Sequence, residues 1–354
     1  MTGADTARPL DTEDMHGATA AYPQQFADAA AAVDACEQLQ PAASVREVLV
    51  VAEGDAGLAG RAVSAAFAPD LAIPVRFHDA GALPGSVGPG SLVVVVSHGG
   101  TDLETLASAR DALHARAEVV VVAGGGAVAA LADEQRVPRV RVPVAEHARM
   151  LGVCLTAATV GVLVRAGALD ASRAADALDD AAERIAPAAG RYGFDADRAR
   201  NQALELARAL DRRVPLVHGA TAATTVAAWR FKAAVNANAK AAAFYDGGPG
   251  IFHTDICGWG LHGDVTRQLF AVVRLRDRSE DWRSASRMSA YREIVEETVA
   301  EIRDVHAKAE TALGACLELV TFADWVSLHL AALAGVDPGP TEATARIHEA
   351  LRDA

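Results

Sequence analysis

The stretch LVVVVSHGGTDLETL, residues 92–106, decides the fold class. Leu92 to Ser97 is an apolar run with no polar break, as in a strand buried on both faces. Two glycines turn the chain, and the spacing predicts a helix near Asp102 to Ala115. Strand, turn and helix in that order are the unit of an open parallel sheet. The same unit recurs on either side. Val48 to Ala52 reads as a strand, followed by a glycine turn and a helix through Ala68. Ile73 to Phe77, Val119 to Val122 and Arg139 to Val142 complete a first set of strands. Right-handed crossovers are expected between them.

From Glu146 to Ala209 the chain reads as helical, with turn signals at Pro187 and between Gly190 and Gly193. Alternation then resumes. Val214 to His218, Ala241 to Tyr245 and Leu269 to Leu275 read as strands. Helices are expected at Thr221 to Val235, Asp281 to Ile302 and Thr321 to Ala334. The chain therefore reads as α/β, with two doubly wound parallel-sheet domains and extra packing helices. The boundaries fall at 1–150 for the first domain and 151–354 for a helical link plus the second.

Composition agrees. The 354 residues are 51% hydrophobic, 22% charged and only 5% aromatic, which favours Ala-rich helices and short Val-rich strands. A net charge of −13 argues against nucleic acid as a partner. Four scattered cysteines show no CxxC spacing, so reduced, mostly buried thiols are expected. The start, MTGADTARPLDTEDM, lacks a basic region followed by an apolar core. No apolar run reaches the roughly 18 uncharged residues of a membrane span. No membrane and a cytoplasmic location are the expectations.

In an open parallel sheet the ligand lies beyond the carboxyl ends of the strands. The turns of interest follow Ala52, Ser97, Val142 and His218. EGDAGLAG (53–60) spaces its glycines by three, so it does not match the dinucleotide fingerprint. In SHGGTDLETL, Ser97, Thr101 and Asp102 stand at a helix start. Either Thr101 or Asp102 caps the helix, or the turn cradles a ligand with hydroxyls and amides. The densest polar group is WRFKAAVNANAK…YDGGPGIFHTDICGW, residues 229–259. It carries Arg230, Lys232, Asn236, Asn238, Lys240, His253 and Asp255. These residues line either a solvated helix face with a capped loop, or a cleft wall.

At these residues the chain resembles the bifunctional phosphoglucose/phosphomannose isomerases of the sugar isomerase (SIS) superfamily. LDTEDM and the Pro23-Gln24 region are similar to that family's N-terminal helix. HARMLG places Arg149 at a substrate-site arginine. RFKAAVNANAK is similar to R-x-K…N-E-N-x-K, and GPGIFHTDI to the P-E…H-N-E turn. DWVSLHLAALAGVDPGP (324–340) is similar to the C-terminal D-x-x-S…D-P-x-P stretch.

The resemblance implies two SIS domains, a homodimer, and a sugar or sugar-phosphate ligand, with no cofactor or metal. In the family, His opens the ring and Glu moves a proton between C1 and C2. It assigns ring opening to His253, and ligand contacts to Ser97, Thr101, Asp102, Arg149, Lys232, Asn236, Asn238 and His348. The catalytic Glu, however, matches Ala237, and loss of a general base costs about 10²–10⁴ in rate. Asp55, Ala56 and Asp102 replace small or hydroxyl residues of the family's phosphate turns. Three readings follow. One is a carbohydrate-derivative-binding protein with lost or much reduced isomerase activity. Another is an active aldose–ketose isomerase using Asp255, Asp246, Asp102 or Asp55 as base. The third is a structural or regulatory partner with a vestigial cleft.

Overall fold

A computed structural model describes residues 9–41, 44–71, 73–143 and 147–352. The chain opens with α1 (Met15–Ala20) and α2 (Tyr22–Asp34). It continues with β1 (Glu47–Ala52), α3 (Gly57–Phe67), β2 (Val75–Asp79), β3 (Ser91–Ser97), α4 (Leu103–His114), β4 (Glu118–Ala123), α5 (Gly126–Gln135) and β5 (Arg139–Val140). Helices α6 (Gly152–Arg165), α7 (Ala171–Ile185), α8 (Ala188–Tyr192) and α9 (Gln202–Leu210) link this half to the next. The second half comprises β6 (Val214–Gly219), α10 (Ala222–Asn238), β7 (Phe244–Gly247), α11 (Gly263–Leu269), β8 (Phe270–Arg276), α12 (Trp282–Val295), β9 (Glu301–His306), α13 (Ala312–Ala334) and α14 (Glu342–Arg352).

The strands form two sheets, ordered β2-β1-β3-β4-β5 and β7-β6-β8-β9, and every pairing is parallel. The two orders share one pattern, and the α/β, doubly parallel expectation holds. The two-residue period of a strand sorts the valines. Val48, Val50, Val94 and Val96 point inward to one continuous core shared with α2, α3, α6, α10 and α13. Leu49, Val51, Val93 and Val95 point outward, under Ala109 and Ala112 of α4 and Val128 and Ala132 of α5. The second sheet sends Val217 and Val273 into the shared core. On its outer face Leu216, Val272 and Ile302 meet Tyr291 and Val295 of α12.

Several boundaries differ from the sequence expectation. The helix expected to reach Ile302 stops at Val295, and β9 follows. That strand is a charged edge strand, EIRDVH, pairing with β8 alone. Its polar residues face outward, so it lacks the apolar run that marks a buried strand. Helix α13 starts nine residues before Thr321, at Ala312. It is buried on nearly every side, so no polar face sets a period. Thr311 caps its start by accepting from the Gly314 amide, and Gly335, at φ 68°, ends it. Among the described residues this one helix is long and apolar enough to cross a membrane, and 83% of its most apolar window is buried in the protein. It is a core helix.

Candidate functional site

Ligands of open sheets bind where the strand order reverses. In the first sheet that point lies between β1 and β3, and in the second between β6 and β8. At both, a hydroxyl donates to an aspartate of the same crevice. Ser97 Oγ donates to Asp102 at 2.5 Å and accepts from the Gly100 amide at 3.0 Å. Thr221 Oγ1 donates to Asp277 at 2.8 Å. Asp102 precedes α4 in an extended conformation, but its side chain makes no capping bond, and Thr101 is exposed. The capping expectation is therefore corrected: the carboxylate turns back to Ser97. The turn itself is fixed by glycine. A Cβ at Gly100, which has φ 66°, would lie 1.9 Å from the Gly125 carbonyl oxygen. One at Gly126 would lie 2.2 Å from that of Gly99.

Beneath the turn after β1 lies a buried ion network. Arg230 on α10 is 2% exposed. Its Nη1 pairs with Asp55 at 2.7 Å, and Nη2 with Asp324 of α13 at 2.7 Å. Tyr22 of α2 donates to the second Asp324 oxygen at 2.6 Å. Burial alone would weaken the guanidinium's hold on its proton, but Asp324 and Asp55 outweigh burial and keep it charged. Burial, then the Asp324 charge, keeps the Tyr22 hydroxyl protonated. Asp55 is thus an ion-pair partner, not a free carboxylate in the cleft.

The predicted ligand residues divide into groups. Arg149 and Asn238 come together, with Arg149 Nε donating to Asn238 Oδ1 at 3.0 Å. Asn238 is fully buried and also donates to Ser327 Oγ at 2.9 Å. The Arg149 Nη2 donates to the carbonyls of Pro338 and Gly339, each at 2.6 Å. Burial lowers its pKa from the ordinary arginine value. Lys240 Nζ donates to the Ala237 carbonyl at 2.5 Å and to those of Pro338 and Pro340 at 3.2 and 2.5 Å. Asp337 anchors that segment by accepting from Thr12 Oγ1 at 2.5 Å. Asn236 donates to the Ala241 carbonyl at 2.7 Å, closing the end of α10. Lys232 is half-buried and has no ion-pair partner among the described residues.

His253 is exposed on a short turn after β7. No hydrogen bond or ion pair among the described residues joins it to Arg149, Lys232 or Asn238. Nearby, burial and a hydrogen bond to Asp246 raise the Asp255 carboxyl pKa, so the two aspartates act on each other. His348 lies on α14, and its side chain is outside the described residues. The turn after Val142 is likewise described only to residue 143.

The sequence reading missed the roles of Tyr22, Asp277, Asp324 and Asp337. Asp324 carries a usable signal, a carboxylate in a mostly apolar helix, which is rarely buried without a partner.

Residues 199–351 match the family of the bacterial phospho-glucose isomerase C-terminal SIS domain. The bifunctional phosphoglucose/phosphomannose isomerase of Caldicellulosiruptor bescii is 24% identical over 302 residues, 85% of this chain and 88% of that protein. The enzyme of the same name from Aquifex aeolicus is 27% identical over 271 residues, 76% of this chain and 79% of its own. The fold is also that of the crystallised tagatose-6-phosphate ketose/aldose isomerase from Escherichia coli. That match has TM-score 0.68 and 14% identity, and covers 94% of this chain and 97% of the other. The parallel two-sheet fold, the match over residues 199–351 and the relatives aligned along most of its length make this chain similar to the bifunctional phosphoglucose/phosphomannose isomerases.

Proposed function

We propose that this protein binds a carbohydrate derivative and does not isomerise it. One observation carries the reading: every candidate substitute for the base missing at Ala237 is engaged elsewhere. Asp55 pairs with Arg230, and Asp102 accepts from Ser97. Asp246 accepts from the Gly247 amide and shares a hydrogen bond with Asp255. The Lys240 ammonium nearby is taken up by the main-chain carbonyls of Ala237, Pro338 and Pro340. A methyl group cannot shuttle a proton between C1 and C2, and its loss of base catalysis is worth about 10²–10⁴ in rate.

In this reading residues 1–150 form the N-terminal SIS domain. Residues 151–354 supply the helical link and the C-terminal SIS domain. The protein works in the cytoplasm as a homodimer, with Arg149, Lys232 and His253 facing ligand and the buried Asn238 holding Arg149 in place. The test is direct. Pure protein is incubated with fructose 6-phosphate, and glucose 6-phosphate and mannose 6-phosphate are measured. No product above background is expected, and steady turnover would sink the proposal. Sedimentation as a strict monomer would remove the dimer.

A further inference from the structure

We infer that Ser327, buried in α13, is a positioning residue for the ligand-facing Arg149 and acts through the side-chain amide of Asn238. This deepens the sugar-binding reading and rests on it. The groups form a directed chain. Arg149 Nε donates to Asn238 Oδ1 at 3.0 Å, and Asn238 Nδ2 donates to Ser327 Oγ at 2.9 Å. Ser327 Oγ in turn donates to the Asp324 carbonyl at 2.7 Å. Asn238 and Ser327 are both fully buried, so water does not compete for these bonds.

Proton counting fixes the direction of the chain. A serine hydroxyl has one proton to give. Here that proton goes to the Asp324 carbonyl, so towards Asn238 the oxygen only accepts. A flipped amide would set its carbonyl oxygen against an oxygen with no proton to offer. It would also set its NH2 group against the Arg149 Nε–H, which only donates. The hydroxyl therefore selects the amide orientation, and the amide holds one edge of the guanidinium. The carbonyls of Pro338 and Gly339 hold Nη2. Among the described residues Nη1 has no such partner, so it is the corner presented to a ligand. Removing the Ser327 hydroxyl leaves a buried amide donor unmet and the amide free to turn. A guanidinium recognises its partner by a rigid planar fork as well as by charge. Arg149 would then keep its charge and lose its aim.

Two measurements on the full chain test this, comparing the native protein with Ser327→Ala. One is hydrogen exchange of the Arg149 Nε–H by heteronuclear NMR, with the signal assigned from Arg149→Lys. The other is calorimetric affinity for fructose 6-phosphate. Ser327→Ala is expected to speed the exchange, and to weaken binding, by roughly tenfold or more. The Arg230 Nε–H, bonded to Asp324 at 3.0 Å, is the internal reference and is expected to stay unchanged. Ser327→Cys keeps a weak acceptor of similar size, is expected to fall between the two, and carries the test if the alanine variant does not fold. Thr321→Ala controls for packing. It removes another buried hydroxyl of α13, one that bonds the Leu317 carbonyl and takes no part in the chain. It is expected to leave both readings at their native values. Unchanged Arg149 exchange in Ser327→Ala would overturn the inference. So would an equal acceleration in Thr321→Ala, because lost packing would then be the cause. Native protein that does not bind fructose 6-phosphate would instead remove the reading above, and the exchange comparison would still decide this inference.

Discussion

The outer faces of the two sheets are built from different materials. In the first, Leu49, Val51, Val93, Val95 and Val121 lie under α4 and α5 with no charge among them. In the second, four polar residues stand abreast on neighbouring strands. His218 is in register with Asp246 on one side and Arg274 on the other, and Arg274 with Asp304. Arg274 is 2% exposed, grips Asp304 through two bonds of 2.7 and 2.6 Å, and donates to the Met288 carbonyl of α12. His218 is 3% exposed and meets Tyr291 edge-on at 5.3 Å between ring centroids. Its Nδ1 has no hydrogen-bond partner among the described residues. The first sheet is held by volume. The second also depends on matching charges, because a buried ion without its partner is strongly unfavourable.

The largest expected effect strikes that match. Asp304→Ala strands the Arg274 guanidinium and should lower stability by about 3–5 kcal/mol in denaturant unfolding. Replacing both residues with apolar ones should recover most of the loss. A single change worth under about 1 kcal/mol would mean the row does not hold the sheet. The next effect depends on pH. Burial pushes the His218 pKa down to about 4, with Asp246 opposing and Arg274 assisting. Below about 6.5 the unfolded chain takes a proton that the folded chain refuses until about pH 4. Stability should therefore be unaffected above pH 7 and fall by about 3 kcal/mol as pH drops through that window. His218→Gln should flatten this slope, and an unchanged slope would place its origin elsewhere. The smallest effect belongs to the first sheet. Val95→Ala, on that sheet's outer face, should cost about 2 kcal/mol by leaving a cavity, equally at pH 5 and pH 7. A pH-dependent loss there would erase the contrast between the sheets.

The sequence displayed the first sheet better than the second for the same reason. Runs such as Val93 to Val96 are buried on both faces and announce themselves. The charged edge strand EIRDVH does not, and the helical reading of the preceding segment runs into its first two residues, to Ile302. The shared core helix α13 was placed too late because a helix buried all round has no amphipathic stripe. At the candidate site, the family resemblance assigns Arg149, Asn238 and His253 to the ligand, and the structure joins the first two by a hydrogen bond. The resemblance could not find that Arg149 donates to Pro338 and Gly339, 189 and 190 positions away. Nor could it tell whether Asp102 would cap α4 or bond Ser97, since both lie within one turn. Pairings of that kind are set by tertiary packing, not by local pattern.

The contacts that gather around Arg149 also bear on the order in which the chain assembles. Thr12 and Asp337 are 325 positions apart, and Tyr22 and Asp324 are 302 apart. Closing such a loop in an unstructured chain grows more unfavourable by about 0.6 kcal/mol with each doubling of length. These bonds therefore form once local helices and parallel crossovers have already drawn the ends together. The Thr12–Asp337 contact is exposed, whereas the Tyr22–Asp324 bond is sealed in the core. The outer contact is thus a late latch on a finished body, and the inner one a seam that opens only when the two halves part.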